Sequence, residues 1–223
     1  MATLSILLIS DTHGYHRDPL FQASRSYDVL IHAGDFTNTG NRAEVDDFFE
    51  WIDQQTRFKH IIYIAGNHDI GYTSPSVAEL SNGTRLHYLH NNATCIDGFN
   101  FYGSPYTPRF FDWAFMYDPP EADGIWSKIP HDTDVLISHG PPYGIMDECA
   151  DLSGNPTNAG CPVLLDYVKN IPSIKLHVFG HIHEGYGVIT HPNGRVSVNA
   201  ASICESARHQ PIEFELTRQP ENF

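Results

Sequence analysis

The sequence predicts an α/β chain in which two β-sheets pack face to face and are flanked by helices. The first part of the 223 residues alternates apolar, strand-like runs with helical stretches, and the C-terminal part changes to closely spaced strands. In order, Ser5–Ser10 is a short apolar run, Pro19–Tyr27 suits a short helix and Val29–Ala33 a second strand. Arg42–Gln55 places Val45, Phe48, Phe49 and Ile52 at helical spacing, with Asp46, Asp47, Glu50 and Asp53 opposite. That is an amphipathic helix laid on a sheet. His60–Ala65 is a third strand and Pro75–Leu80 a short helix. Asp97-Gly98 is a hairpin turn joining Thr94–Ile96 to Phe99–Tyr102. Val135–Ser138, a helix over Val163–Val168 and Leu176–Phe179 follow. Gly187–Thr190, Val196–Asn199 and Ile212–Leu216 read as consecutive antiparallel strands, a meander, with Pro192-Asn193-Gly194 as a turn. No repeat, low-complexity tract or linker interrupts the chain, so residues 1–223 are expected to form one domain. Asp147–Gly160, rich in Gly, Asn, Asp and Ser, is the expected mobile loop.

Composition narrows the function. Thirteen Lys and Arg against 27 Asp and Glu give a net charge of −14. Such a surface repels a phosphate backbone, so long nucleic acid is disfavoured, and a small phosphorylated substrate needs local positive charge. No run reaches the roughly 18 apolar residues of a membrane span, and Leu4–Ile9 lacks a basic leader and cleavage site. The four cysteines, Cys95, Cys149, Cys161 and Cys204, form no CxxC pair. Reduced thiols in the cytoplasm are the expectation. Cys149 and Cys161, flanking a short loop, are the one spacing a disulfide could use.

Five strands end in the same kind of residue. Ser5–Ser10 runs into Asp11-Thr12-His13, Val29–Ala33 into Gly34-Asp35, and His60–Ala65 into Gly66-Asn67-His68-Asp69. Val135–Ser138 runs into His139-Gly140, and Leu176–Phe179 into Gly180-His181-Ile182-His183. Ligands of open α/β sheets collect outside the carboxyl ends of the strands, so these motifs are expected to converge on one crevice. Asp, His and Asn offer hard and borderline oxygen and nitrogen donors with no thiolate, which favours Mn²⁺, Fe or Zn²⁺, or Mg²⁺. Asp11, His13, Asp35, Asn67, His139, His181 and His183 are too many ligands for one ion, and suit two ions sharing a carboxylate. Taken singly, a DxH or HxH in a chain with 14 histidines is a surface pair, and a Gly-Asp is a turn. The joint pattern of five motifs, each at a strand end, is what points to a metal centre.

The motifs DxH, GD, GNHD, H and GHxH resemble the calcineurin-like metallophosphoesterase superfamily. The stretches AGDFTNTG (33–40), YGSPYTPRFFDWAF (102–115), LISHGPP (136–142) and HVFGHIHEGYGV (177–188) carry a closer resemblance, to the metallophosphoesterase-domain-containing (MPPED-type) family related to class III cyclic nucleotide phosphodiesterases. The one departure is Asp69, where the family also uses Glu. The resemblance implies a four-layer αββα sandwich of two mixed sheets around a dinuclear divalent metal centre. It implies that Asp11, His13 and His183 bind one ion, that Asn67, His139 and His181 bind the other, and that Asp35 bridges them. His68 then sits above the pair, oriented by Asp69.

Two divalent ions supply the positive charge an acidic protein lacks and lower the pKa of bound water. The expected reaction is attack of a metal-bridging hydroxide on a small phosphodiester, with cyclic nucleotides implied by the resemblance. Asn67 and His68 contact the phosphoryl oxygens, and His68 protonates the leaving alkoxide, as an imidazole can at neutral pH. Two other readings stand beside it: a phosphomonoesterase or nuclease on the same centre, and a non-catalytic scaffold of the same fold. The aromatic run Phe99–Tyr117 suits either core or a wall for a nucleobase, and Arg109 suits a solvated surface better than a substrate phosphate.

Overall fold

A computed structural model describes residues 2–72, 85–204 and 207–218. The expected helix Pro75–Leu80 lies outside the described residues. In chain order the elements are β1 (Ala2–Ile9), β2 (Tyr27–Ala33), α1 (Arg42–Gln54), β3 (Phe58–Ile64), β4 (Leu86–Tyr88), β5 (Asn92–Ile96) and β6 (Phe99–Ser104). There follow β7 (Thr107–Pro108), β8 (Met116–Tyr117), α2 (Ala122–Trp126), β9 (Val135–Ser138), β10 (Glu148–Ala150), β11 (Pro156–Asn158) and α3 (Pro162–Asn170). The last are β12 (Leu176–Phe179), β13 (Gly187–Thr190), β14 (Val196–Asn199) and β15 (Ile212–Arg218).

Two mixed sheets result. The first has the order β15-β1-β2-β3-β4 and the second β13-β14-β12-β9-β6-β5. Parallel strands fill the middle of each, and antiparallel β15, β13 and β5 lie on edges. The period-two pattern of each strand decides which face meets which layer. Leu4, Ile6, Leu8, Val29, Ile31 and Ile62 of the first sheet pack on Phe99, Phe101, Val135, Ile137, Leu176 and Val178 of the second. The alternate residues Leu7, Ile9, Leu30, Ile61 and Tyr63 face Val45, Phe48, Phe49, Trp51 and Ile52 of α1. On the far side, Tyr102 and Leu136 face Ile125 and Trp126 of α2 and Leu164 and Val168 of α3. The layers are therefore helix, sheet, sheet, helix, the αββα sandwich expected. Each fully buried Leu or Ile contributes roughly 1.5–3 kcal/mol, which is enough to fix the register of the central strands.

Three expectations need correction. The helix Pro19–Tyr27 is one 3₁₀ turn, Pro19–Phe21. Asp18 caps it by accepting from the Leu20 N–H at 2.9 Å, and Tyr27 is taken into β2 opposite Phe58. The C-terminal meander is also wrong. β13 and β14 pair antiparallel, but β15 crosses to the other sheet and pairs with β1, Phe214 opposite Ile6 and Leu216 opposite Leu4. Ile212, Phe214 and Leu216 join the core between the sheets there. The Asp147–Gly160 stretch carries the β10–β11 hairpin, organised by the buried Asp147 carboxylate. That carboxylate accepts from the Gly144 and Gly160 N–H groups at 2.9 Å each and from Asn158 Nδ2 at 2.7 Å. The expected reduced state holds at Cys149 and Cys161, which are not bridged, and Cys161 Sγ accepts the Leu164 N–H at the start of α3.

Candidate metal centre

Five parallel strands point their C-terminal ends at one crevice. Asp11 and His13 leave β1, Asp35 leaves β2, Asn67 and His68 leave β3, His139 leaves β9, and His181 and His183 leave β12. Asp11, His13, Asp35 and His181 have φ of 52°, 43°, 54° and 68°, the left-handed region that side chains other than glycine rarely enter. Each such residue costs of order 1–3 kcal/mol and persists only where its surroundings hold it. Here the holding groups are backbone. The Asp11 N–H donates to the Gly34 carbonyl at 2.9 Å and the His13 N–H to the Asp35 carbonyl at 3.0 Å.

The side chains meet in overlapping groups. Asp11, His13 and His183 bring ligand atoms within 4.8 Å of one another, as do Asp35, His139 and His181, and also His13, Asp35 and His68. Asp35 is common to the second and third. Its Oδ2 lies 3.3 Å from His139 Nε2 and 4.0 Å from His13 Nε2, while its Oδ1 accepts the His68 N–H at 2.8 Å. Asn67 Oδ1 lies 2.9 Å from His139 Nε2. All seven expected ligands are thus assembled, with Asp35 between two donor sets. His139 Nδ1 donates to the Ala33 carbonyl at 3.0 Å, which leaves Nε2 for the crevice. Buried oxygen and nitrogen donors in this number fit two divalent cations.

Close packing leaves no room for a β-carbon behind the carboxylates. One added at Gly180 would sit 1.9 Å from Asp11 Oδ2 and 2.3 Å from Ser10 Oγ, and one at Gly66 would sit 2.3 Å from Asp35 Oδ1. Gly180→Ala is therefore expected to displace Asp11, lowering metal content and destabilising the fold by about 1–3 kcal/mol. Metal analysis and a melting curve check it. Unchanged metal content would show that Asp11 is not held as described.

Electrostatics match a site built for cations. Burial opposes a charge on His139, but Asp35 and, more remotely, Asp11 outweigh it and hold the imidazole up at about 9, from 6.5. Burial raises Asp69 to about 7, with repulsion from Asp35 adding to the effect, against three hydrogen bonds that favour its charge. Burial alone would raise the Asp11 pKa, yet its hydrogen bond with His183 and the nearby histidines lower it strongly. A raised group such as His139 stabilises the fold fully below its unfolded pKa and loses that contribution as pH climbs through its folded value. The metal-free protein is therefore expected to lose thermal stability between pH 6.5 and 9. Burial holds His32 and His177 neutral, with values near 3, so they act below that window. A divalent ion displaces the proton, so metal binding at pH 8 should release protons and flatten the slope. Calorimetry in chelator and in manganese checks this, and a melting temperature that rises from pH 6.5 to 9 in chelator contradicts it.

His68 is held in a way the sequence does not show. Its Nδ1 donates to the Asn38 carbonyl at 2.9 Å. Its ring meets Trp113 edge-on at 4.1 Å and His13 at 4.6 Å. The expected contact from Asp69 is absent. Asp69 Oδ1 accepts from the Thr37 N–H and hydroxyl at 2.9 and 2.7 Å, and Oδ2 accepts the Gly66 N–H at 2.8 Å. Asp69 thus braces the loop that carries Asn38, and orients His68 only through that loop. The aromatic run divides in two: Phe99, Phe101, Tyr102 and Tyr117 are core, whereas Phe110, Phe111 and Trp113 are exposed. Arg109 pairs with Asp118 and Asp112 at the surface.

Strand ends converging on buried carboxylates and imidazoles in an αββα sandwich form a candidate centre for divalent cations. A family model described as calcineurin-like phosphoesterase matches residues 4–185, and the chain belongs to that family. Within it, the chain is similar to the human metallophosphoesterase domain-containing protein 1, with 36% identity over 230 residues, covering 92% of this chain and 67% of that protein. It is similar also to UPF0046 protein K07C11.7 of Caenorhabditis elegans, at 34% identity, covering 97% of this chain and 76% of that protein. Among solved structures, a putative 5′-nucleotidase from Staphylococcus aureus superposes with a TM-score of 0.52 at 14% identity. That match covers 100% of this chain but 56% of the other, and it speaks for the fold alone. Among the described residues, no helix is long and apolar enough to cross a membrane.

Proposed function

We propose that this phosphoesterase hydrolyses small phosphodiesters, cyclic nucleotides foremost, with His68 as the proton donor to the leaving oxygen. The arrangement of His68 carries the reading. A carbonyl can only accept, so the 2.9 Å contact with Asn38 assigns a proton to Nδ1, in a ring that has a nitrogen within 4.8 Å of ligand atoms of Asp35 and His13. Nε2 then holds a second proton only in the imidazolium, the form that can protonate an alkoxide. A diester monoanion also enters a −14 protein more readily than a monoester dianion or a nucleic-acid strand.

Asp11, His13 and His183 would hold one divalent ion, Asn67, His139 and His181 the other, with Asp35 shared, and manganese suits this donor set. When bound, such ions offset charge at phosphorus and make water a nucleophile at neutral pH. The chain's own residues do the rest. Asn67 and His68 contact the phosphoryl oxygens, Asn38 fixes the His68 tautomer, and Trp113 restrains its ring. The four cysteines, none of them in a disulfide, suit a reducing compartment, which supports a cytoplasmic location.

The test is hydrolysis of bis(p-nitrophenyl) phosphate and of cyclic nucleotides by the protein with manganese and with chelator. Metal-dependent diester cleavage that exceeds monoester cleavage is expected. Two bound ions without any hydrolysis would favour the scaffold reading, and a faster monoesterase would displace the diester reading.

A further inference from the structure

Asn199, the last residue of β14, belongs to none of the strand-end motifs, yet it lies beside the end of β12, opposite Phe179. It is fully buried. Its Nδ2 donates to the Ile182 carbonyl at 2.7 Å and to the Met146 carbonyl at 3.3 Å, and its Oδ1 accepts the Ala201 N–H at 3.1 Å. A flipped amide would set its oxygen against two carbonyls and its nitrogen against an N–H, so this pattern fixes the orientation. The turn after β12 packs directly onto the amide. A β-carbon added at Gly185 would lie 2.1 Å from the Met146 oxygen and 2.7 Å from Asn199 Nδ2.

Ile182 separates His181 of one donor set from His183 of the other. Its carbonyl belongs to the planar peptide that joins it to His183, so the bond from Asn199 sets the tilt of that plane. Local preference does not dictate this path: His181 is left-handed at φ 68°, and a single 3₁₀ turn, His183–Gly185, follows. The near side of the turn is tied to the centre itself, because the His181 N–H donates to the Asp11 carboxylate at 3.0 and 3.1 Å. The far side needs another hold. Within the first donor set the His183 side chain is the least packed, 29% exposed against 10% for His13 and none for Asp11. Its Nε2 nonetheless lies 3.4 Å from both Asp11 Oδ1 and His13 Nε2. We infer that Asn199 is a positioning residue of the metal centre, pinning the Ile182–His183 peptide so that His183 closes the first donor set. This rests on the two-ion reading above and adds a residue that acts through the backbone between two ligands.

Calorimetric titration with manganese, set beside a melting curve in chelator, tests the assignment without turnover. The wild type is expected to take up two ions. Asn199→Asp keeps the size of the side chain and the acceptor for Ala201 but loses both donors. One of the two ions is then expected to bind about 10–100-fold more weakly, the usual loss when the partner behind a ligand is removed. An added carboxylate by itself favours a cation, so weaker binding reports the missing donors. Asn199→Leu adds no charge, is expected to show the same loss, and decides if the aspartate variant does not fold. Ser197→Ala is the control, since Ser197 is also fully buried on β14 but its hydroxyl meets His191 Nε2, at 2.8 Å. It is expected to lower the melting temperature and to leave both affinities unchanged. Electron paramagnetic resonance supplies a second readout: at the manganese concentration that saturates the wild type, the signal of a coupled pair should give way to that of single ions in the Asn199 variants. Wild-type affinity for both ions in a folded Asn199 variant overturns the inference, as does an equal loss in Ser197→Ala. A wild type that binds one ion overturns the shared-carboxylate reading instead, and Asn199 is then judged on that ion. A wild type that binds none overturns both.

Discussion

Asp35→Asn is expected to lower diester turnover by about 10³-fold or more and to reduce bound metal below two ions per chain. The magnitude follows from the several kcal/mol of transition-state stabilisation that paired cations supply, at tenfold per 1.36 kcal/mol. Asp35 is the carboxylate common to two donor groups, so no neighbour replaces it. Asparagine is the informative replacement because it tolerates the left-handed backbone at φ 54°, whereas Asp35→Ala adds strain to the same loss. Asp35→Asn also removes the main partner that raises His139, so the fall in stability between pH 6.5 and 9 should shrink in the same variant. Two ions bound with wild-type affinity would refute the shared role of Asp35.

His68→Ala is expected to keep both ions and to lose about 10²–10⁴-fold in rate, the usual contribution of a positioned proton donor. The loss should be largest for an alkyl leaving group and small for p-nitrophenolate, which leaves without help. Metal analysis is the necessary companion, because His68 also falls within 4.8 Å of His13 and Asp35. A drop in metal content would make His68 a ligand, and equal losses for good and poor leaving groups would remove the proton-donor role.

Much of this was legible in the sequence because the candidate ligands sit at the ends of hydrophobic strands, and strands as regular as Val135–Ser138 and Leu176–Phe179 announce themselves. The seven candidate ligands follow from that registration. Hidden from the sequence was whatever depends on backbone groups or on distant pairing. The partner of His68 is the carbonyl of Asn38, and a carbonyl belongs to every residue. Asp69 lies next to His68 in sequence, yet its carboxylate turns the other way to satisfy Thr37 and Gly66. Asn199 reaches Ile182 only because β14 pairs with β12. Local periodicity likewise identified β15 as a strand without revealing which sheet receives it.

The placement of β15 has a consequence for biosynthesis. Every candidate ligand precedes residue 184, but among the described residues the edge of β1 that leads to Asp11 and His13 is covered by residues 212–218 alone. A nascent chain halted after β14 would therefore leave the ribosome with a bare, apolar strand edge, open to pairing with another copy. Secure assembly of the centre must await translation of β15, so a chain deprived of that strand is expected to aggregate rather than fold into a weakened form.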